Sequence, residues 1–241
     1  MRLIVGVQPV REAIRAHGAA VGRVLVERGP NPKLEALARF AKDQGIEVVD
    51  ATRSDLDKRA AGARHQGVMA LAPDLRVRRL DELKVDPTSL FLALDEIQDP
   101  QNFGAAIRSA VGFGATAVIW PENASAPLTP ATFRASAGAV EHAMLCRVPA
   151  LPSAIQHLAE LGVASVGLDA EGDVELAEVD LTGPALFVIG SEGKGLKRAV
   201  RRACTRTARL PMPGPIESLN ASVAAAIALY EACRQRRAAP R

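Results

Sequence analysis

The chain has 241 residues, of which 48% are hydrophobic and 24% are charged. This composition is typical of globular proteins, and the length allows one large domain or two small ones. No apolar run approaches the roughly 20 residues of a membrane-spanning helix. A signal-peptide core is not expected, because Pro9 follows the first apolar residues too closely. We therefore predict a cytoplasmic protein with no membrane partner.

The three cysteines and four histidines are scattered along the chain. They show neither C-x-x-C nor H-E-x-x-H spacing, so we expect no disulfide framework and no metal site. The net charge is +3, and most of the 30 basic residues are arginine, which suits phosphate contacts. A compositional bias of the genome explains the arginine content equally well. Aromatic residues make up only 3%, so a nucleic acid would be bound through backbone charge and shape rather than by base stacking.

The first 72 residues alternate between helical and strand patterns. Hydrophobic periodicity predicts helices and strands there, namely helices over 9–17 and 33–44 and strands over 23–27, 46–49 and 68–71. Pro9 suits a helix start and Gly45 suits a helix end. This region is large enough for a compact α/β unit that folds alone. The charged, proline-bounded stretch 73–88 is interpreted as a linker.

From residue 89 onward the pattern changes to continuous apolar runs. Such runs are typical of strands buried on both faces of a parallel sheet, and they occupy 90–94, 117–120, 164–168 and 185–189. Helical stretches separate them, so we predict an α/β domain with helices on both faces of the sheet. Ligands of such sheets bind beyond the carboxyl ends of the strands. The loops at those ends are therefore the candidate functional segments.

The first candidate loop, 95–104, precedes a helix predicted over 105–113. Asn102 is placed as the N-cap of that helix. Helical side chains lean toward the helix N-terminus, so Arg108 can reach back beside Asn102. A capped helix with a surface arginine explains the same residues without a function.

The second candidate loop, 190–195, has the sequence Gly-Ser-Glu-Gly-Lys-Gly and precedes a helix predicted over 196–204. Three glycines in six residues indicate either turns with positive φ or a backbone that approaches a ligand closely. The spacing matches neither of the two common nucleotide-phosphate loops. A tight strand–helix turn is the alternative interpretation.

The third candidate loop, 210–220, contains three prolines and precedes a long helix predicted to end at Arg236. Ser218 is placed as the N-cap of that helix, and Asn220 is placed within its first turn. Asparagine has poor helix propensity, so its presence there points to a role for the side-chain amide. The stretch between Gly193 and Ile216 is a basic segment without acidic residues, which we interpret as a phosphate-binding region or a solvated face: Lys194, Lys197, Arg198, Arg201, Arg202, Arg206 and Arg209.

The three loops together carry D-P-x-N-x-G-x-x-x-R, G-S-E-G-x-G and L-P-M-x-G-x-x-x-S-L-N-x-S, in that order. This set resembles the three motifs of the SpoU (TrmH-like) branch of the SPOUT RNA 2′-O-methyltransferases over about 89–237. Residues 6–10 and 64–68 are similar to a ribosomal-protein-like RNA-binding domain found in part of that branch. Within the branch, the similarity is greatest to the bacterial 23S rRNA (guanosine-2′-O)-methyltransferases.

The resemblance implies a small N-terminal RNA-binding domain (1–72), a linker (73–88) and a SpoU-type methyltransferase domain (89–241) whose C-terminal segment forms a trefoil knot. It also implies a homodimer and S-adenosylmethionine as the cofactor, with no metal. The implied cofactor-binding residues are Gly190, Glu192, Leu210 and Leu219. The implied catalytic residues are Asn102, Arg108, Ser218 and Asn220.

The implied reaction is methylation of a guanosine 2′-hydroxyl in 23S rRNA. The hydroxyl must lose its proton as it attacks the methyl group. Arginine is a poor base in proteins, so Arg108 is either strongly perturbed or stabilises the oxyanion while a phosphate or water takes the proton. Alternatives are a tRNA ribose 2′-O-methyltransferase, a non-catalytic RNA-binding protein of the same fold, and a sugar- or nucleotide-binding α/β enzyme.

Overall fold

A computed structural model describes residues 1–123, 125–126, 128–216 and 218–238. Contacts divide the chain into two compact units. The first unit comprises residues 1–75 together with 128–142, and the second comprises the other described residues. No helix in the described ranges is both long and apolar enough to cross a membrane.

The first unit contains a four-stranded sheet of order β1-β4-β2-β3, in which β2 and β3 are parallel and the other pairs antiparallel. The elements are β1 (Arg2–Val5), α1 (Val7–His17), β2 (Arg23–Glu27), α2 (Pro32–Asp43), β3 (Glu47–Ala51), α3 (Arg53–Ala60) and β4 (Val68–Ala72). Strand β2 matches its predicted bounds. The sequence did not indicate α3, because only Leu56 and Ala60 of its eight residues are buried.

Alternating side chains of the sheet pack on its two faces, as the pleat of a β-strand requires. Val24 joins a core formed with Ile14 of α1 and Leu37 of α2. Leu25, its neighbour in β2, points to the opposite face and packs against Leu56 of α3. Helices therefore cover both faces of this small sheet.

The second unit contains eight parallel strands in the order β10-β12-β9-β11-β6-β7-β8-β5. They are β5 (Val77–Arg78), β6 (Leu90–Leu94), β7 (Ala117–Pro121), β8 (Leu145–Val148), β9 (Ala164–Leu168), β10 (Val174–Glu175), β11 (Ala185–Ile189) and β12 (Arg206–Arg209). Its helices are α4 (Pro100–Gly112), α6 (Leu151–Glu160), α7 (Arg198–Ala203) and α8 (Ala221–Ala238). The predicted α/β parallel sheet and separate N-terminal domain are confirmed.

The two central strands, β6 and β11, are buried at every position, which explains why their apolar runs were visible in the sequence. Phe91 and Phe187 are fully buried there. Helix α4 packs against α8, and α6 packs against α7. The segment interpreted as a linker contains β5, which pairs with β8, and Leu83, which joins the core of this unit.

Residues 128–142 follow β7 in sequence but pack in the first unit, where α5 (Pro130–Ala135) contacts β1. The buried carboxylate of Glu141 holds this segment in place. It accepts two hydrogen bonds from the guanidinium of Arg2 and lies 2.9 Å from Nε2 of His17. The Arg2 guanidinium also lies over the ring of Phe133, 4.9 Å from its centroid. Buried charges are tolerated when they are paired in this way.

Candidate active site

Four loops meet at one edge of the large sheet, because parallel strands end on the same side. They follow β6, β9, β11 and β12, which lie side by side in the sheet in the order β12-β9-β11-β6. Three of these loops are the candidate segments of the sequence. The fourth, after β9, was not singled out.

The loop after β11 is a tight turn that depends on its glycines. The Gly195 N–H donates to the Ser191 carbonyl over 2.9 Å, and Gly193 and Gly195 have φ of 78° and 63°. A Cβ atom at Gly190 would lie 2.1 Å from the Gly195 carbonyl carbon, so no other residue fits at position 190 without moving the loop. The positive-φ turn is therefore observed, and the loop also lines a cavity.

A buried carboxylate accepts a hydrogen bond from the backbone just after this loop. Asp95, at the end of β6, is buried and accepts a hydrogen bond from the Lys197 N–H through Oδ2 over 3.0 Å. Burial raises the pKa of the Asp95 carboxyl, and the hydrogen bond from Lys197 opposes that rise. The neighbouring Glu96 pairs with Lys197 Nζ at 2.5 Å. Asp95 was not among the predicted site residues.

A cavity of about 420 Å³ lies at the carboxyl edge of the sheet. All four predicted cofactor-binding residues line it, namely Gly190, Glu192, Leu210 and Leu219. Ser218, predicted to be catalytic, lines it as well. The volume falls within the range of small-molecule sites. The second and third loops begin some twenty residues apart in the chain. The structure brings residues from both loops together around one cavity.

The loop after β9 contributes polar groups to the same cavity. Asp169 and Glu171 line it. The Arg201 guanidinium pairs with the Asp169 carboxylate, with 3.5 Å between Nη1 and Oδ2. It also donates a hydrogen bond to the Glu171 carbonyl over 3.2 Å. Sequence reasoning missed these residues. The available signal was the buried run 164–168, because any loop that follows a central parallel strand lies at the ligand-binding edge.

A chain of amide hydrogen bonds joins the three motif loops. Asn220 Nδ2 donates to Asn102 Oδ1 over 2.8 Å, and Asn102 Nδ2 donates to Glu192 Oε1. At the other end, the Ser222 N–H donates to Asn220 Oδ1 over 2.9 Å. A backbone N–H only donates and a carboxylate only accepts, so the two ends determine how both amides are oriented.

Two predicted N-caps were wrong, and the corrections place the asparagines. Asp99, with Pro100 as the first helical residue, caps α4 by accepting from the N–H groups of Gln101 and Asn102. Asn102 therefore lies inside the first turn of α4. Asn220, and not Ser218, precedes α8 and accepts from its first turn. Asparagine is favoured at that position, so its helix propensity is no argument for a role of its amide.

The other two predicted catalytic residues have no hydrogen-bond partner among the residues that the structure describes. Arg108 is exposed on α4 and makes no hydrogen bond or ion pair with any residue that the structure describes. Ser218 is exposed at the cavity. The structure thus joins Asn102 and Asn220 directly and leaves the Arg108 guanidinium available to a ligand.

Tertiary contacts neutralise part of the basic segment. Lys197, Arg201 and Arg209 pair with acidic side chains. Four cations of this segment are exposed and unpaired within the described part of the chain: Lys194, Arg198, Arg202 and Arg206. Within the described part of the basic segment, these four are the cations available for phosphate contacts without breaking an ion pair.

Comparison with known proteins gives the class to which this fold and site belong. The SpoU rRNA Methylase family matches residues 89–230, and a domain described as RNA 2′-O ribose methyltransferase substrate binding matches residues 3–77. The chain is 40% identical to an uncharacterized tRNA/rRNA methyltransferase of Mycolicibacterium vanbaalenii, over 98% of this chain and 77% of that protein. The chain therefore belongs to the SpoU family of RNA methyltransferases.

Solved structures show the same architecture. The SpoU methyltransferase AviRb from Streptomyces viridochromogenes, in complex with S-adenosylmethionine, is 31% identical with a TM-score of 0.80, covering 98% of this chain and 91% of that chain. A cofactor-bound rRNA methyltransferase from Sinorhizobium meliloti is 25% identical with a TM-score of 0.77, covering 96% and 86%. S-adenosylmethionine, the cofactor expected from the sequence, is thus the cofactor of the family.

Proposed function

We propose that this chain transfers a methyl group from S-adenosylmethionine to a guanosine 2′-hydroxyl of 23S rRNA in the bacterial cytoplasm. The observation that carries the proposal is the cavity beside the amide chain. There the three motif loops meet, with Asn102, Glu192 and Asn220 hydrogen-bonded to one another. The match of residues 3–77 to an RNA 2′-O ribose methyltransferase substrate-binding domain supports the ribose as the acceptor.

The residues of the cavity fit S-adenosylmethionine, which supplies an electrophilic methyl group when bound. Leu168, Ile189, Leu210 and Leu219 provide apolar walls. Carboxylates of the loops after β9 and β11 provide negative charge for a cationic ligand. The glycine loop lets the backbone of residues 190–195 approach the ligand closely.

The acceptor hydroxyl is bound by side chains at the cavity and beside it. Arginine side chains stay protonated in proteins, so Arg108 acts as a donor that stabilises the developing oxyanion, while a phosphate or water takes the proton. The amide chain of Asn102 and Asn220 fixes α4, and with it Arg108, relative to the glycine loop. Ser218 positions the substrate at the mouth of the cavity.

We infer the trefoil knot from the chain path and the family resemblance. After β11 the chain passes β9 to form β12, and it then returns so that α8 packs against α4 and β11. The Arg236 guanidinium near the end of α8 donates to the carbonyls of Thr88 and Gly183. These contacts hold the returning segment beside the strands that precede it in sequence.

We also propose that the active form is a homodimer that uses the outer face of α8. The small residues of this helix, such as Ala225 and Ala228, are buried within the chain. Its other face exposes Val223, Ile227 and Tyr230, which follow one another at helical spacing. Exposed apolar stripes of this kind are common at protein interfaces.

A tritiated-methyl assay tests the function. The full chain is incubated with labelled S-adenosylmethionine and either protein-free 23S rRNA or purified tRNA, and the product is digested to nucleosides. We expect label in rRNA, recovered as 2′-O-methylguanosine. In a separate binding measurement, affinity for RNA should fall steeply as the salt concentration rises. Label in tRNA alone would overturn the substrate, and label on a base would overturn the reaction.

Point variants are better than truncation for assigning RNA affinity to the domain proposed over residues 1–72. Residues 128–142 belong to the same compact unit, and Glu141 is buried against Arg2 and His17. Removing residues 1–72 would leave this carboxylate without its partners, so a truncated protein would lose stability as well as RNA affinity.

A further inference from the structure

The first unit contains a cavity of its own, of about 580 Å³. It lies beyond the carboxyl ends of the parallel strands β2 and β3. Glu27 is the last residue of β2, Asn31 caps α2, and Arg53 begins α3. Further residues of α3 and the turn 62–67 before β4 complete the lining. Ligands of parallel strands bind at this edge.

A buried histidine holds the turn 62–67 in shape. His65 is 6% exposed, and its Nδ1 accepts a hydrogen bond from the Gly67 N–H over 3.0 Å. Its ring proton is therefore on Nε2, which donates to Asp57 Oδ1 on α3 over 2.9 Å. The Gln66 side chain accepts from the Val7 N–H over 3.1 Å and ties the turn to α1. These hydrogen bonds within the unit hold the wall in place.

One acceptor in this cavity has no partner among the described residues. The carboxylate of Glu27 is half-buried and makes no hydrogen bond or ion pair with any described residue. A Cβ atom at Gly67, where φ is 80°, would lie 2.9 Å from Glu27 Oε2, so the carboxylate lies against the Gly67 backbone. A carboxylate accepts several hydrogen bonds, and all of that capacity is available to a ligand.

Donors that have no partner in the described part of the chain line the same cavity. Arg53 and Arg64 are exposed and unpaired within the ranges that the structure describes. Asn31 uses its side-chain oxygen to cap α2, accepting from the Lys33 N–H over 3.1 Å, which leaves its amide N–H groups available. The cavity thus offers guanidinium and amide donors together with a carboxylate acceptor.

We propose that this cavity binds one unpaired guanine base of the RNA substrate, an inference that rests on the proposed function. Among the four bases, only guanine presents two adjacent donors, N1–H and N2–H2, to a carboxylate such as Glu27. Its O6 and N7 accept from arginine, here Arg53 or Arg64. Unpaired bases are the usual targets of sequence-specific RNA recognition. A phosphate alone would pair with the arginines but offers no donor to Glu27, and the carboxylates of Glu27 and Asp57 would oppose its charge.

Amide chemical shifts of the full chain, measured during titration with nucleoside 5′-monophosphates, test this pocket. The four nucleotides carry the same phosphate, so differences among them report the base. We expect GMP to shift the Gly67 amide and to bind about tenfold or more tightly than AMP, CMP or UMP, as one bidentate base contact provides. Equal binding of all four, an equal response to inorganic phosphate, or an unmoved Gly67 amide would each overturn the proposal.

Matched variants assign the preference to Glu27. Glu27→Gln removes the acceptor charge and should abolish the preference for GMP, whereas Glu35→Gln removes the same charge from the exposed face of α2, outside the cavity, and should keep it. Replacing both arginines, in the double variant Arg53→Ala/Arg64→Ala, should weaken GMP binding with Glu27 unchanged. A Glu27→Gln protein that retains the preference would reject the pocket.

The methyl-transfer assay separates this proposal from the proposed function. If the wild-type chain labels rRNA, Glu27→Gln should raise the KM for RNA by about tenfold. Wild-type labelling with an unchanged KM in the variant rejects only the base pocket. Absence of labelling by the wild-type chain rejects the proposed function, regardless of how the Gly67 amide responds to GMP.

Discussion

The availability of the Arg108 guanidinium gives the clearest prediction at the scale of single residues. Because it makes no bond with the described residues, Arg108→Ala should leave the melting temperature unchanged. It should lower the methyl-transfer rate by about 10²–10³, the typical loss when one oxyanion donor is removed. Single-turnover labelling of rRNA measures the rate.

Arg147→Ala is the matched control, since Arg147 is also exposed and unpaired among the described residues and lies in β8 of the same unit. It should keep the wild-type rate. Equal rates for the wild type and Arg108→Ala would show that Arg108 is only a surface charge.

Asn220 has two separable roles, in capping α8 and in donating to Asn102. Asn220→Asp keeps a good N-cap but replaces the donor with a carboxylate oxygen, so activity should fall while stability is retained. Asn220→Ala loses both and should destabilise the fold by about 0.5–2 kcal/mol. Urea unfolding and methyl transfer measure the two effects. Wild-type activity of Asn220→Asp would show that the amide chain is not needed for catalysis.

Asp95 should make stability depend on pH in the direction opposite to most carboxyl groups. Its folded pKa is raised above the usual 3.8, so the folded state binds the proton more tightly than the unfolded state. Stability from this group is therefore present below about pH 4 and lost as pH rises through the folded pKa. Asp95→Asn cannot titrate, so the wild type should gain stability relative to this variant as pH falls from 7 toward 4. A constant difference in unfolding free energy over that range would contradict the assignment.

At the scale of elements, the turn after β11 depends on a glycine whose Cβ space is filled by backbone. Gly190→Ala should displace the turn, because the added carbon would lie 2.1–2.4 Å from backbone atoms of Gly195 and Leu196. Calorimetry should show loss of S-adenosylmethionine binding. The cause is distortion of the loop rather than a side chain that fills the cavity.

Gly183→Ala is the control for Gly190→Ala. A Cβ atom there meets nothing within 4 Å, and the residue is exposed before β11. This variant should bind the cofactor with wild-type affinity. Unchanged binding by Gly190→Ala would show that the glycine loop does not form the cofactor site.

At the scale of the whole molecule, one face of α8 packs within the chain and the opposite face is the proposed dimer contact. Light scattering should give twice the 25.4 kDa mass of the chain. Ile227→Glu places a charge in the exposed apolar stripe and should yield monomers that retain their fold. Leu161→Glu, at an exposed leucine after α6, should remain dimeric. A wild-type monomer at micromolar concentration would reject the dimer.

The sequence by itself determined the central strands and the three motif loops. Strands β6, β9 and β11 were predicted with their observed bounds. A strand that is buried on both faces requires a continuous apolar run in the sequence. The four predicted cofactor-binding residues were implied by the family resemblance of the motif loops, and all four line the cavity. These features depend on local composition and order, which a single sequence records.

The tertiary structure decided the features that depend on distant partners. Strand β12 has arginine at both ends and only Thr207 and Ala208 buried, so its pairing with β9 formed a strand that no apolar run indicated. The link between Asn220 and Asn102 spans 118 residues, and that between Arg2 and Glu141 spans 139. Hydrogen bonds and ion pairs act over about 3 Å of space, and separation along the sequence does not reveal which groups the fold brings that close.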